Sequence, residues 1–167
     1  MKIVTENRKA RFNYHLEDKM EAGVELFGWE VKSARLGAVN LAESFVRFQP
    51  KPQKVQTEPS KIKEGSVQPR GAVEAWIKNS HFSKYKNSPD RDQDPTRDRR
   101  LLLKRSQIEK LHKAVTTKGV TCIVTKLYFT NRGLLKAEIA IARGKQLHDK
   151  KQALKERDIE RAMQRGE

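Results

Sequence analysis

Residues 120–141 carry the pattern that most limits what this chain can fold into. Val120 to Phe129 is an apolar run of strand length. After the turn Asn131-Arg132-Gly133, Leu135, Ala137, Ile139 and Ile141 point one way, while Lys136 and Glu138 point the other. That period of two predicts a strand with one buried face. Phe45 to Phe48 and Val73 to Ile77 are further strand candidates. Apolar residues alternate in Phe12 to Leu16 and again in Ala22 to Leu26, across a short acidic stretch, so these two segments are expected to form a hairpin. Many short strands leave many edges, and a closed or partly open barrel hides them.

Two helices are expected among the strands. One runs from Trp29 to Leu36 and stops at Gly37. The other opens with the capping box Ser106-Gln107-Ile108-Glu109. Ile108, Leu111, His112 and Val115 then follow helical spacing, and Gly119 suits the left-handed position after the helix. The expected fold is mainly β: an OB-like antiparallel barrel with two or three embedded helices and a basic C-terminal tail.

The 167 residues suit one domain, residues 1–144, followed by a tail, residues 145–167. Residues 50–70 differ from the rest of the core. Pro50, Pro52, Pro59 and Pro69 sit among Lys, Gln, Glu and Ser, with Val55, Ile62 and Val67 as the bulky apolar residues. So little apolar surface does not offset ordering entropy, so a flexible insertion is expected. Lys51, Lys54, Lys61 and Lys63 could touch RNA, although a solvated insertion is the plainer reading. Residues 86–100 read as a second polar loop. The tail is charged throughout, with a thin apolar stripe of Leu147, Leu154, Ile159, Ala162 and Met163. It is expected to be disordered when free and helical on a partner.

Lys and Arg total 36 against 21 acids, a formal charge of +15. A surplus of that size creates a field toward polyanions: nucleic acid, an anionic membrane or an acidic protein. The apolar runs fall far short of the ~20 residues that span a bilayer. Met1 to Arg8 lacks the apolar core of a signal peptide. The single cysteine, Cys122, allows no internal disulfide and reads as a small core residue. A cytoplasmic location is expected.

Signatures of catalysis are sparse. Asp90-Arg91-Asp92-Gln93-Asp94 invites a calcium-loop reading, but Pro95 and Leu101 stand where an EF-hand needs Gly and Glu. His15, His81, His112 and His148 form no ligand-spaced cluster, and no Gly-rich phosphate loop is present. A nuclease using His81 or His148 with a carboxylate is the enzymatic alternative. No catalytic residue, metal site or cofactor is expected. Lys126, Lys136, Arg143 and Lys145 lie on or just after the last two strands, where they could line up against a phosphate backbone. Arg97, Arg99, Arg100, Lys104 and Arg105 make a second basic group. Trp29, Trp76, Tyr128 and Phe129 could stack on bases, though a small barrel needs large residues inside.

Several stretches, in order, resemble one family. Asn7-Arg8-Lys9-Ala10-Arg11 is the first. Glu21-Ala22-Gly23 precedes Gly28-Trp29-Glu30-Val31-Lys32-Ser33, followed by Arg35, Gly37, Asn40 and Leu41. Asp94-Pro95-Thr96-Arg97 and Leu101-Leu102-Leu103 come next. Ala142-Arg143-Gly144-Lys145, His148-Asp149-Lys150 and Lys155-Glu156-Arg157 close the series. Together they resemble SmpB, the SsrA-binding family of bacterial trans-translation, over nearly the whole chain except residues 50–70.

The resemblance implies an OB-like barrel that binds transfer-messenger RNA and helps deliver its tRNA-like half to stalled ribosomes. The core would stand in for the anticodon arm, and the tail would enter the empty mRNA channel. It also implies that Glu30, Arg35 and Asn40 face RNA and that Lys126, Lys136, Arg143 and Lys145 hold phosphates. Glu30 could accept hydrogen bonds from base amino groups. Its residues alone favour the plainer reading, a helix N-terminal acid stabilised by the dipole. The tail residues His148, Lys150, Lys151, Lys155 and Arg157 would meet the ribosome near the decoding centre. Lys151 stands where the family often has Arg, and the Pro-containing insertion departs from the short connection expected there. The partners implied are transfer-messenger RNA and the small ribosomal subunit, bound by a monomer. A basic ribosomal structural protein is the alternative.

Overall fold

A computed structural model of the chain describes residues 1–51, 73–89, 92–146 and 163. The expectations for the insertion beyond residue 51, and for the tail beyond residue 146, lie outside the described residues. The elements are β1 (Lys2–Glu6), α1 (Arg8–Asn13), β2 (Tyr14–Val24), α2 (Gly28–Arg35), β3 (Val39–Asn40), β4 (Phe45–Pro50), β5 (Val73–Lys78), β6 (His81–Phe82), β7 (Arg99–Leu102), α3 (Arg105–Val115), β8 (Val120–Phe129) and β9 (Leu135–Gly144). The fold is mainly β with three short helices.

The alternation that opened the sequence reading becomes the longest hairpin. β8 and β9 pair antiparallel from Val120 opposite Arg143 to Phe129 opposite Leu135. Thr130 donates its N–H to the Leu134 carbonyl at 2.9 Å, and Gly133 takes φ +76°, where a side chain would be strained. All strand pairs are antiparallel, and they form a cycle. β8 pairs with β4, β4 with β5, β5 with β7, β7 with β2, β2 with β9, and β9 with β8 again. β1 adds to the far half of β8, opposite residues 126–129. β3 and β6 form a separate two-stranded ribbon.

Inward residues of this cycle make one core. Ile77, Val124, Leu127, Ala137 and Ile139 are buried, and Leu111 of α3 and Trp29 of α2 join them. Each large side chain so buried contributes on the order of 1.5–3 kcal/mol. Cys122 is part of this core, and burial pushes its thiol up to about 12, so it stays a protonated packing residue.

Three sequence expectations need correction. Residues 14–24 are one strand, not a hairpin. β2 pairs continuously with β9 except for a bulge between Glu17 and Met20, where Asp18 sits at φ +43°. The acidic stretch looks like a turn because a bulge needs the same tolerance of left-handed backbone. Second, Phe12 and Asn13 belong to α1 rather than to a strand. Buried Asn7 nucleates α1: its Oδ1 accepts the Ala10 N–H at 3.0 Å, while its amide donates to the carbonyls of Leu41 at 2.7 Å and Val124 at 3.2 Å. Third, α3 starts before the expected box. The Gln107 side chain accepts the Lys104 N–H at 2.9 Å, while Glu109 pairs with Arg105 at 2.9 Å. Gly119, at φ +80°, serves the turn into β8 and not the helix end.

α2 matches its expectation. Trp29 and Ala34 enter the core. Gly37 at φ +73° ends the helix, with its N–H on the Ala34 carbonyl at 3.0 Å and the Ala38 N–H on Ser33 at 3.1 Å. Among the described residues no helix is long and apolar enough to cross a membrane.

Candidate nucleic-acid interface

Glu30 lies in the first turn of α2, and the structure takes it out of any direct contact. Its side chain is fully buried. Oε2 accepts the Phe27 N–H at 2.7 Å, which satisfies a free amide at the helix start. Oε1 accepts Arg97 Nε at 2.8 Å and Arg99 Nε at 2.9 Å, and Arg97 also closes on Oε2. No oxygen is left for a base amino group. The reading as an acid at a helix start holds, with two arginines added to it.

Arg99 is itself fully buried, with its guanidinium 4.0 Å from the centre of the Phe82 ring. It donates to the carbonyls of Ser80 at 2.9 Å, Pro95 at 3.0 Å and Arg97 at 2.8 Å. Burial lowers its pKa and the Glu30 carboxylate opposes that shift, and a guanidinium keeps its charge in a protein. The cluster therefore locks β6, the Pro95 turn and the start of β7 onto α2. Arg100 is committed too, to Glu25 at 2.7 Å and Glu74 at 3.1 Å. Three cations of the second basic group thus hold the fold together rather than bind phosphate, and Lys104 and Arg105 remain exposed. Asp94 closes its own turn by accepting from the N–H and hydroxyl of Thr96, which hold its carboxyl below the usual range. Among the described residues no three His, Cys, Asp or Glu side chains gather as a metal site would require.

The four cations expected to hold phosphates do not form one line. Lys126 meets Glu138 at 2.9 Å and Lys136 meets Glu21 at 3.0 Å. Glu21 also accepts the Tyr128 hydroxyl, and that bond, then Lys136, holds its carboxyl below 4.5. Arg143 lies 3.7 Å from Glu17, and Lys145 donates to the Arg11 carbonyl at 3.2 Å. From Lys136 to Arg143 β9 advances seven residues, roughly 23 Å at the rise of a strand. Lys126 and Lys136 therefore sit at one end of the β8–β9 hairpin, and Arg143 and Lys145 at the other, beside α1.

A different surface gathers around Arg35 and Asn40. Both are exposed, at the end of α2 and in β3. The short turn between them is tied back by the Ser33 hydroxyl on the Ala38 carbonyl at 3.3 Å, and the Ser83 N–H joins that carbonyl at 2.9 Å. Asn40 stands opposite His81 in the β3–β6 ribbon, and its Oδ1 accepts the Ala42 N–H at 2.8 Å. Lys32, one turn before Arg35, places its ammonium 5.3 Å from the centre of the Tyr85 ring. Arg35 lies 5.9 Å from that of Phe129. Gln93 grips the Tyr85 backbone from both sides, at 2.8 and 3.1 Å.

Lys84 and Lys86 are exposed on either side of Tyr85. Among the described residues Lys32, Arg35, Lys84 and Lys86 make no salt bridge. Sequence reasoning found Arg35 and Asn40 here but missed Lys32, His81 and Tyr85. The available signal was the three-residue spacing of Lys32 and Arg35, which places both on one helix face. Of the aromatic candidates, Trp29, Tyr128 and Phe129 are core. Trp76 is half-buried on the outer sheet face between Arg47 and Arg100.

A mainly β protein with this cationic, amide- and aromatic-bearing surface has the features of the class of small nucleic-acid-binding β proteins. Comparison with known proteins narrows that class. The family model described as SmpB protein matches residues 4–56 and 53–167, and the chain belongs to the SmpB family. An SsrA-binding protein of Allorhizobium ampelinum is 41% identical over 98% of this chain and 90% of its own length. One of Nitrobacter winogradskyi is 43% identical over 95% of this chain and 87% of its own. A solved chain described as "tmRNA-SmpB: a journey to the center of the bacterial ribosome" superposes with a TM-score of 0.60 at 33% identity, covering 90% of this chain and 93% of that one.

Proposed function

We propose that this chain binds transfer-messenger RNA and delivers it to stalled ribosomes for trans-translation, acting as a binder and not as a catalyst. The observation that carries this reading is the surface of α2, β3 and β6. There Lys32, Arg35, Lys84 and Lys86 face rings and solvent instead of carboxylates, beside Asn40 and His81. An RNA elbow offers phosphates, 2′-hydroxyls and splayed bases, which suit cations, an amide and a half-exposed Tyr ring. Relatives across nearly the full length are named SsrA-binding proteins, which agrees with that chemistry.

On this reading the strand cycle is an OB-like barrel forming one domain, residues 1–144. Arg35 and Asn40 contact RNA directly, and Glu30 acts by positioning. Lys126 and Lys136 extend the interface from the Arg35 end. Arg143 and Lys145 lie where the tail departs and guide it toward the ribosome. In the tail, His148, Lys150, Lys151, Lys155 and Arg157 meet the decoding region of the small subunit. The protein works as a monomer in the cytoplasm.

Truncation tests the division of labour. Removing residues 150–167 is expected to leave the affinity for transfer-messenger RNA intact and to abolish peptide tagging on stalled ribosomes in a reconstituted translation reaction. Tagging by the truncated chain would refute the role of the tail. Failure of the intact chain to bind that RNA above an unrelated RNA of equal length would refute the whole reading.

A further inference from the structure

Phe27 is the residue the functional reading leaves unused. It precedes α2 and keeps 56% of its surface exposed, unlike Trp29 two residues on, at 4%. Its backbone is pinned. The N–H donates to Glu30 at 2.7 Å, and its carbonyl accepts from the amides of Glu30 at 3.1 Å and Val31 at 3.2 Å. One face of the ring is backed by the Arg97 guanidinium, 4.0 Å from the ring centre. Arg97 is fixed in turn by Glu30 and by the Asp98 carbonyl at 3.1 Å. An exposed ring on a flexible loop would lose entropy on binding. This one has already lost it.

Arg97 and Arg99 share the single carboxylate of Glu30, and the charge of Asp94 also acts on Arg99. Of the other acids nearby, Glu25 is engaged with Arg100 and Asp98 with Lys78, which leaves Arg97 as the cation against the ring. Space at Gly28 is open, with no atom within 4 Å of where a Cβ would lie. The amides of the first turn of α2 add partial positive charge on that side. A planar ring backed by a guanidinium, beside a helix start and open space, fits a planar group attached to an anion. Within an RNA partner that is an unpaired nucleotide: the base on the ring, its phosphate toward Arg97.

We propose that Phe27 is a stacking platform for one unpaired base of the bound RNA, backed by Arg97. This rests on the RNA-binding reading and adds a contact outside the Lys32, Arg35 and Asn40 surface. Stacking tolerates any base, so Phe27 supplies affinity without sequence preference.

The test uses the full chain and the tRNA-like half of transfer-messenger RNA, with affinities measured across a range of salt. Phe27→Ala is expected to weaken binding about tenfold or more, and Phe27→Trp to restore it. The salt dependence should not change, because no phosphate contact is removed. One abasic substitution in an unpaired loop should cost the parent a comparable loss and cost Phe27→Ala nothing further, since both remove the same contact. The ring is exposed, so melting of both variants should match the parent. Parent-like affinity of Phe27→Ala, or losses that add at every abasic position, would overturn the proposal while leaving RNA binding in place. The exposed ring would then belong to a protein partner. No binding by the parent itself would overturn the RNA-binding reading and this one with it.

Discussion

The outer face of β8, β9 and β2 and the surface of α2, β3 and β6 both carry cations, yet they differ in what answers those cations. On the first, Lys126 and Lys136 each meet a carboxylate from a neighbouring strand position. On the second, Lys32 and Arg35 lie over aromatic rings. Cross-strand ion pairs add modestly to sheet stability and cancel the local field. Cations over rings keep their charge available to a polyanion. Counting basic residues therefore overstates the first surface and misses the second. At the Glu30 cluster the engagement goes further, and Arg99 is fully buried.

The largest expected effect breaks that cluster. Glu30→Ala leaves Arg97 and Arg99 facing each other without their acid, one of them fully buried. Losing one partner of a buried ion pair costs about 3–5 kcal/mol. Denaturant midpoints should fall steeply for Glu30→Ala and less for Glu30→Gln, whose amide oxygen still accepts. RNA affinity measured on the folded fraction then separates positioning from contact. Arg97→Lys should reproduce part of the Glu30→Gln loss, because Lys keeps the charge but not the fork. Parent-like stability of Glu30→Ala would mean that the cluster does not hold α2 to β7.

Next in size is the direct contrast of the two surfaces. Arg35→Ala should weaken RNA binding and lower the salt slope by about one counterion. Lys136→Ala removes a cation already answered by Glu21, and its effect should stay within about twofold, as for an exposed ion pair. Affinities measured at several salt concentrations decide the matter. A steeper loss for Lys136→Ala than for Arg35→Ala would reverse the comparison.

What the sequence disclosed follows the same division between local and distant causes. β8 and β9 were legible because alternation is local and strong. α1 was not, because its sequence buries little beyond Ala10 and it starts from Asn7, whose amide bonds to carbonyls 34 and 117 residues away. Residues 14–24 were misread because Glu17-Asp18-Lys19 has turn composition, and a bulge uses the same residues. Arg97 and Arg99 counted as surface charge. Yet their two-residue spacing at a strand start put both on one face, and that face needs a buried acid. Glu30, two residues into a helix that buries Trp29, was the acid available. Phe27 carried no signal, since a lone apolar residue before a helix is as often a staple as a platform. Its exposure and its guanidinium backing exist only in three dimensions.

The ion pairs of the β8–β9–β2 face also give a pH test. Burial raises the Glu138 pKa, but the Lys126 and Thr125 hydrogen bonds outweigh it, so Glu138 lies below its ordinary value, as Glu21 does. A depressed carboxylate stabilises the fold above its unfolded value of 4.5, and that contribution is lost as pH falls through the lower folded value. Glu21→Gln should therefore be less stable than the parent at neutral pH, and the difference should close below pH 4.5. Protonation also releases Lys126 and Lys136, so RNA binding at the acid end should come to depend on them. A stability difference independent of pH would show that Glu21 acts by packing and not by charge.

The smallest expected effect lies at the alkaline end of the same network. Burial and the hydrogen bond to Glu21 push the Tyr128 hydroxyl up to about 12 from 10.0. A raised acid stabilises the fold fully below its unfolded value and loses that contribution as pH rises from 10 through about 12. Phenolate absorbance should therefore show a late step near pH 12, and Tyr128→Phe should remove it. The ring itself is 3% exposed and would stay packed in the variant. Circular dichroism over the same range checks that the sheet persists. If no such late step appears while the sheet remains intact, or if Tyr128→Phe leaves it in place, Glu21 does not hold the hydroxyl. Of these two partners, its carboxylate is then left to Lys136 alone.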